Sequence, residues 1–237
     1  MARDLRAQGA LLKAPALRPV WASRLGFALI LTLTGAAAVS AQGVPPPATA
    51  PFDFYVMTLS WSPGFCDLGG DQKSPQQCDA GSGAGFVVHG LWPNNRSGPD
   101  PEDCGFAHPA EAEMSAARGL YPTGGLARYE YRKHGACTGL GARAYFATVR
   151  YVRDNIVIPA MFQAPQQPQR LSPRAIQQAF IAANANLKPS NMAVTCLRGQ
   201  LVDVRFCLTR DLRAFATCPK VTARSCRSDS IRVAPVR

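Results

Sequence analysis

Two hydrophobic periods alternate along this chain, and each predicts a set of elements. Residues 52–59 (FDFYVMTL) are rich in aromatic and β-branched side chains and predict a strand, as does the short apolar run at 86–88. Between them, residues 66–85 (CDLGGDQKSPQQCDAGSGAG) are rich in Gly, Asp, Ser and Pro and read as a loop. Residues 94–125 are irregular apart from one weak helical segment, AEAEMSAARG. Residues 126–134 (LARYEYRKH) then predict a helix that Gly135 ends. Across residues 143–156, Phe146, Val149, Val152 and Ile156 fall at helical spacing, and Pro159 stops the pattern. A third helix begins with Ser172 as N-cap and Pro173 in the first turn, with Ile176, Ala179, Phe180 and Ala183 on one face.

The last third of the chain changes period. AVTCL and LVDVRFCLT flank the turn RGQ, and Val202, Val204, Phe206 and Leu208 alternate with Asp203, Arg205 and Cys207. This is the pattern of a hairpin with one face on the core. The expected fold class is α+β, a mostly antiparallel sheet with helices packed on it.

The N-terminal residues read as an export signal. Arg18 and Arg24 precede the apolar core LGFALILTLTGAAAV, and Val39-Ser40-Ala41 suits cleavage before Gln42. That core, about 15 residues long, is short for a membrane span. The expected organisation is a signal over residues 1–41, a Pro/Ala-rich tether over 42–51, and one domain over 52–237. It places the protein outside the cytoplasm, periplasmic or secreted, as a monomer with no membrane span after signal cleavage.

Charge and cysteine content narrow the class. The chain has 26 basic and 15 acidic residues, formally +11 at pH 7. The excess remains after residues 1–41 are set aside, and a positive balance favours polyanionic partners. All eight cysteines (Cys66, Cys78, Cys104, Cys137, Cys196, Cys207, Cys218 and Cys226) follow the expected cleavage site. An even number in an exported chain favours disulfides, and the absence of any CxxC argues against zinc.

Only three histidines occur. His108 lies in the irregular stretch FAHPAE and reads as surface. His89 ends the apolar run FVVH and is followed by Gly90, Leu91, Trp92 and Pro93. In YEYRKHGAC, Glu130, Lys133 and His134 share one helical face. Taken singly, these motifs have plainer explanations: a solvated ion-paired face, a satisfied core histidine, a core tryptophan. Taken together they hold what cleavage of RNA through its own 2′-hydroxyl needs. Two histidines supply a base and an acid, a lysine offsets charge on the five-coordinate phosphorane, and a carboxylate tunes or orients. No metal or other cofactor is required.

FVVHGLWP and EYRKHGAC resemble the two active-site segments of the T2 ribonucleases, roughly aromatic-x-x-HGLWP and HEWxKHGxC. FYVMTLSWSPGFC is similar to that family's opening strand and the cysteine after it, and the whole is most similar to its bacterial periplasmic branch. The resemblance implies a ribonuclease T2-like fold and an endoribonuclease acting on single-stranded RNA with low base specificity. It implies His134 as general base, His89 as general acid, and Glu130 and Lys133 as stabilisers of the phosphorane. Trp92 and Asn94 would hold a base by stacking and hydrogen bonding. Many members carry an acid where Asn94 stands, which leaves base preference open. Tyr129 stands where the family has a phosphate-binding histidine, so weaker binding with retained chemistry is expected. The resemblance further implies bridges Cys66–Cys78, Cys104–Cys137, Cys196–Cys226 and Cys207–Cys218.

Two rival readings use the same residues. One is a cationic secreted module that binds RNA or surfaces without turnover. The other, a zinc hydrolase built on His89, His134 and Glu130, lacks a recognisable metal signature.

Overall fold

The computed structural model describes residues 51–105 and 108–237. The expected signal segment, and the tether up to residue 50, lie outside the described residues. In chain order the elements are β1 (Phe54–Trp61), α1 (Ser62–Asp67), α2 (Pro75–Cys78), β2 (Phe86–Asn94), α3 (Glu111–Met114), α4 (Gly124–Lys133) and α5 (Ala142–Asp154). There follow β3 (Gln169–Leu171), α6 (Pro173–Ala183), β4 (Met192–Leu197), β5 (Gln200–Thr209), α7 (Pro219–Thr222) and β6 (Ile231–Val233). The strands form one sheet in the order β2-β1-β5-β6-β3, with β4 also paired to β5. All pairings are antiparallel except the short β5–β6 contact. The class is α+β.

Strand β1 is buried on both faces, which is why its sequence runs apolar rather than alternating. Its odd-numbered residues Met57, Leu59 and Trp61 join the main core with Tyr145, Phe146, Val149 and Val152 of α5 and Ile176 and Phe180 of α6. Its even-numbered residues Phe54 and Val56 meet a smaller cluster containing Cys207, Cys218 and Val221, against which Trp92 packs. The same even face continues through Thr58 to Ser60, so the sheet has a helix-covered core face and a second face that carries polar groups.

Several elements differ from the expected ones for identifiable reasons. Strand β2 does not stop at Val88 but continues through the HGLWPN residues to Asn94. Pro93 is tolerated there because β2 is an edge strand. The expected loop at 66–85 contains α2, with Pro75 in its first turn, and the bridge Cys66–Cys78 ties it to α1. Helix α4 starts two residues early, where the Thr123 hydroxyl accepts from the Leu126 N–H at 3.1 Å. At α6, Ser172 caps in the same way by accepting from Ala175 at 3.0 Å. The β4–β5 turn places Arg198 at φ 48 and Gly199 at φ 74, the left-handed pair of a type I′ hairpin. On β5 the expected polar face is not open to solvent: Asp203 is 4 % exposed and Cys207 is fully buried. Cys207 is covered by the smaller cluster, and Asp203 by the groups described next.

The structure also joins Cys104 to Cys137, Cys196 to Cys226 and Cys207 to Cys218. Among the described residues no helix is long and apolar enough to cross a membrane.

Candidate active site

Strand β2 pairs with β1 through Leu59↔Val88 and Thr58↔Gly90, so His89 is the extra residue of a β-bulge. A bulge leaves its residue out of the ladder and re-aims its side chain. Here the imidazole turns onto the polar face, beside the end of β1 and the middle of β5.

Three groups define its surroundings. The Ser60 hydroxyl lies 3.3 Å from His89 Nδ1 and donates to Asp203 Oδ1 at 2.6 Å. Ser60 and Asp203 are directly opposite each other on β1 and β5. With its proton committed to Asp203, the hydroxyl accepts from Nδ1–H, and this fixes the tautomer so that Nε2 is the nitrogen left to exchange protons. The Asp203 carboxylate itself is 3.8 Å from Nδ1, an ion-pair distance rather than a hydrogen bond. On the other side, Nε2 lies 3.8 Å from Glu130 Oε1. Burial alone would depress the His89 imidazolium, but Asp203 and Glu130 outweigh it, and against the opposing charge of Arg205 the pKa is raised above 6.5.

Glu130 projects from α4 and is only 1 % exposed. Burial pushes its carboxyl pKa up, offset in part by the His89 charge and by a hydrogen bond from Trp92. That bond, from the indole N–H to Oε2, is 2.7 Å long. Gly90 makes it sterically accessible: a Cβ there would sit 2.2 Å from Trp92 Nε1 and 2.3 Å from Glu130 Oε2. The glycine of the motif therefore admits the tryptophan–glutamate pair.

His134 follows the last residue of α4, and its N–H still bonds Glu130 O at 2.9 Å. Gly135 then lets the chain turn closely over the ring of Tyr131, which a Cβ would approach to 2.6 Å. Trp92 contacts both imidazoles, its ring centroid 5.2 Å from His89 and 5.3 Å from His134. The second histidine has the opposite electrostatics. Burial, helped by the charges of Lys133 and His89 and opposed by Glu102 and Asp103, lowers its pKa to about 4. The surroundings thus favour the charged form of His89 and the neutral form of His134, both in contact with one indole.

The remaining expected site residues are placed less uniformly. Lys133 forms ion pairs with Glu102 at 2.8 Å and Asp103 at 2.7 Å, on the segment that Cys104–Cys137 ties to the end of α4. Its ammonium is thereby engaged by carboxylates, and this raises its pKa. Asn94 is buried, and its amide donates to the backbone carbonyl of Pro93 at 3.0 Å. Tyr129 is 48 % exposed at the rim.

Each histidine borders its own cavity. One, of about 460 Å³, lies beside His89 and is lined by Ser60, Phe65, Lys73, Leu126 and Tyr129. The other, of about 210 Å³, lies beside His134 and is lined by Trp92, Asn94, Arg205, Lys220 and Arg224. Sequence reasoning missed Ser60, Asp203 and Arg205. Asp203 looked like the solvent side of an alternating strand, and only its acidic identity within a buried hairpin hinted otherwise. Arg205 pairs with Asp203 at 3.3 Å and lies 5.6 Å from the Trp92 ring centroid, which joins the two halves of the site.

Residues 52–218 match the sequence model of the Ribonuclease T2 family. A protein of Haemophilus influenzae named "Probable ribonuclease" is 38% identical over 125 residues, 47% of this chain and 46% of that one. A "Ribonuclease" of Aeromonas hydrophila is 35% identical over 121 residues, 51% of this chain and 50% of that one. The chain thus spans about half the length of these two relatives. "Ribonuclease S-4" of Pyrus pyrifolia is 31% identical over 193 residues, covering 73% of this chain and 82% of the relative. Among solved structures, an RNase-related protein from Calystegia sepium superposes with a TM-score of 0.62 at 19% identity, over 79% of this chain and all of the other. RNase NT, solved in complex with 5′-AMP, gives 0.60 at 23% identity over 78% of this chain and 100% of that one. These two likenesses are of fold. The match over most of the sequence, together with the long alignment to the Pyrus protein, shows that this chain belongs to the ribonuclease T2 family.

Proposed function

We propose that the protein is an exported endoribonuclease that cleaves single-stranded RNA without a metal ion. The observation that carries this reading is the placement of His89 and His134 against one indole, His89 beside the carboxylates of Asp203 and Glu130 and His134 half-buried next to Lys133. Groups whose surroundings push their pKa values apart are suited to act as an acid–base pair. In the first step neutral His134 takes the proton of a ribose 2′-hydroxyl, and the 2′-oxygen attacks the adjacent phosphorus. His89 gives its Nε2 proton to the departing 5′-oxygen, leaving a 2′,3′-cyclic phosphate. In the second step the roles reverse: His89 takes a proton from water and protonated His134 returns one to the 2′-oxygen, giving a 3′-phosphate.

Glu130, close to Nε2 and held by Trp92, hydrogen-bonds the phosphoryl oxygens when protonated. Lys133 offsets the phosphorane's charge after exchanging its carboxylate partners for phosphate. Both carboxylates are solvent-exposed, so water screens these pairs and the exchange is not costly. Trp92 lines the cavity in which the attacking nucleoside sits. The turned-in amide of Asn94 leaves few base-reading groups, in keeping with low base specificity. The domain spans 52–237, after a signal over 1–41 and a tether over 42–51. The test is incubation of the mature protein with single-stranded RNA in EDTA, with the product ends identified. Cyclic phosphate followed by 3′-phosphate is expected, and 5′-phosphate ends or loss of activity in chelator would overturn the mechanism.

The pH dependence follows with its sign. His134 must be neutral, so kcat/KM rises as pH increases through about 4. His89 must be charged, so activity is lost as pH rises through its pKa, above the usual 6.5. Asp203→Asn removes the negative charge nearest Nδ1 and leaves Arg205 opposing the imidazolium. The alkaline limb should therefore move down by about one pH unit, with the acid limb unmoved. A rate profile for Asp203→Asn that superimposes on the wild type would show that Asp203 does not act on His89.

A further inference from the structure

The cavity beside His134 contains cations that the cleavage chemistry does not use. Lys220 on α7 and Arg224 just after it line its wall, together with Trp92, Asn94 and His134. Both lie on a segment fastened at its two ends, by Cys207–Cys218 before Lys220 and by Cys196–Cys226 after Arg224. A short, twice-tethered segment holds charge in a defined place, unlike a lysine on a free tail. The Lys220 ammonium already holds an anion: it pairs with Asp100 at 2.6 Å and donates to Gly98 O at 3.0 Å. Asp100 belongs to the same segment after β2 that supplies Glu102 and Asp103 to Lys133. Among the described residues Arg224 has no carboxylate within ion-pair distance, and its side chain is exposed.

We infer that Lys220 and Arg224 form a binding subsite for the RNA phosphate on the 5′ side of the nucleotide whose 2′-hydroxyl is attacked. The direction rests on the role proposed for His134. The base that activates the 2′-oxygen lies against the nucleoside carrying it, so this cavity holds that nucleoside and its outer wall faces the nucleoside's own 5′-oxygen. The leaving nucleoside belongs in the other cavity, beside His89. An oxygen of Asp100 sits against Lys220 as a phosphate oxygen would, and Arg224 adds a second cation on the same wall. Asp100 is displaced when RNA binds. The subsite makes the C-terminal disulfide-bonded segment part of substrate recognition as well as of stability.

The test uses short substrates that differ only in terminal phosphates: a dinucleoside monophosphate, the same molecule with a 5′-phosphate, and the same molecule with a 3′-phosphate. For the wild-type protein the 5′-phosphate is expected to raise kcat/KM about fivefold, the scale of exposed charge pairs. In Arg224→Ala and Lys220→Gln/Arg224→Ala the ratio of kcat/KM with and without the 5′-phosphate should shrink progressively to one, whatever the rate on the unphosphorylated dinucleotide. Any gain from the 3′-phosphate should persist. On long RNA, the double variant's dependence of log(kcat/KM) on log salt should be shallower by about 0.7, one single-strand phosphate contact. Equal wild-type cleavage of substrates with and without the 5′-phosphate, or a gain that survives in the double variant, overturns the subsite. A protein that cuts none of the three substrates instead refutes the enzymatic reading on which the subsite rests.

Discussion

His89→Ala and His134→Ala each lower the rate of RNA cleavage by roughly 10²-fold or more, the usual contribution of a positioned proton-transfer group. Neither imidazole belongs to the apolar clusters that hold the sheet, and His89 is 38 % exposed, so the fold should survive both changes. The two losses differ in kind. A nucleoside 3′-(4-nitrophenyl phosphate) has a leaving group that departs without protonation, so it should restore His89→Ala toward the wild-type rate. It should leave His134→Ala impaired, because the 2′-hydroxyl still needs a base. Circular dichroism, then turnover of RNA and of the activated ester, checks this. If both folded variants cut RNA at near wild-type rate, the histidine pair is not the catalyst. If the ester rescues His134→Ala instead, the acid and base are reversed.

Gly90→Ala should damage both the site and the fold. The added methyl would overlap Trp92 Nε1 and Glu130 Oε2, two atoms that are hydrogen-bonded to each other across a bulged edge strand. Backbone movement would shift His89, its neighbour in the bulge. Side-chain movement would separate the indole from the carboxylate and change the spacing of both histidines. Overpacking of this sort costs about 1–3 kcal/mol, and a displacement of about an ångström at a reacting group costs on the order of 10²-fold in rate. At Gly141, where a Cβ would meet nothing within 4 Å, a serine should leave both melting and turnover unchanged. Wild-type kcat in Gly90→Ala, measured well below its melting temperature, would show that the Trp92–Glu130 bond has no catalytic consequence.

Much of this architecture was legible from local pattern because burial in strands and helices repeats every two or 3.6 residues. The capping residue Ser172, the apolar run of β1 and the hairpin around Arg198-Gly199 all announce themselves within a few residues. Boundaries were less legible. Strand β2 runs on through Pro93 because an edge position forgives a missing N–H, and edge position belongs to the sheet rather than to the segment. The two motifs of the candidate site were visible as motifs, with His89, Glu130 and His134 in them. The bulge that aims His89 was not, because a bulge is a mismatch between two strands and shows only when both are paired.

The sequence by itself determined the helical and strand periods, the even cysteine count, the positive charge and the presence of two histidines in unusual company. The tertiary structure decided what those histidines are. Asp203 lies 143 residues from Ser60 in the chain yet shares a hydrogen bond with it beneath His89. Burial and the charges of Lys133 and His89 push the His134 pKa the opposite way. Lys133, one residue from His134, is drawn to Glu102 and Asp103, and Lys220 to Asp100. A side chain's charge state depends on every charge and dipole within several ångströms, whatever their separation along the chain, so it becomes fixed only when the chain is folded.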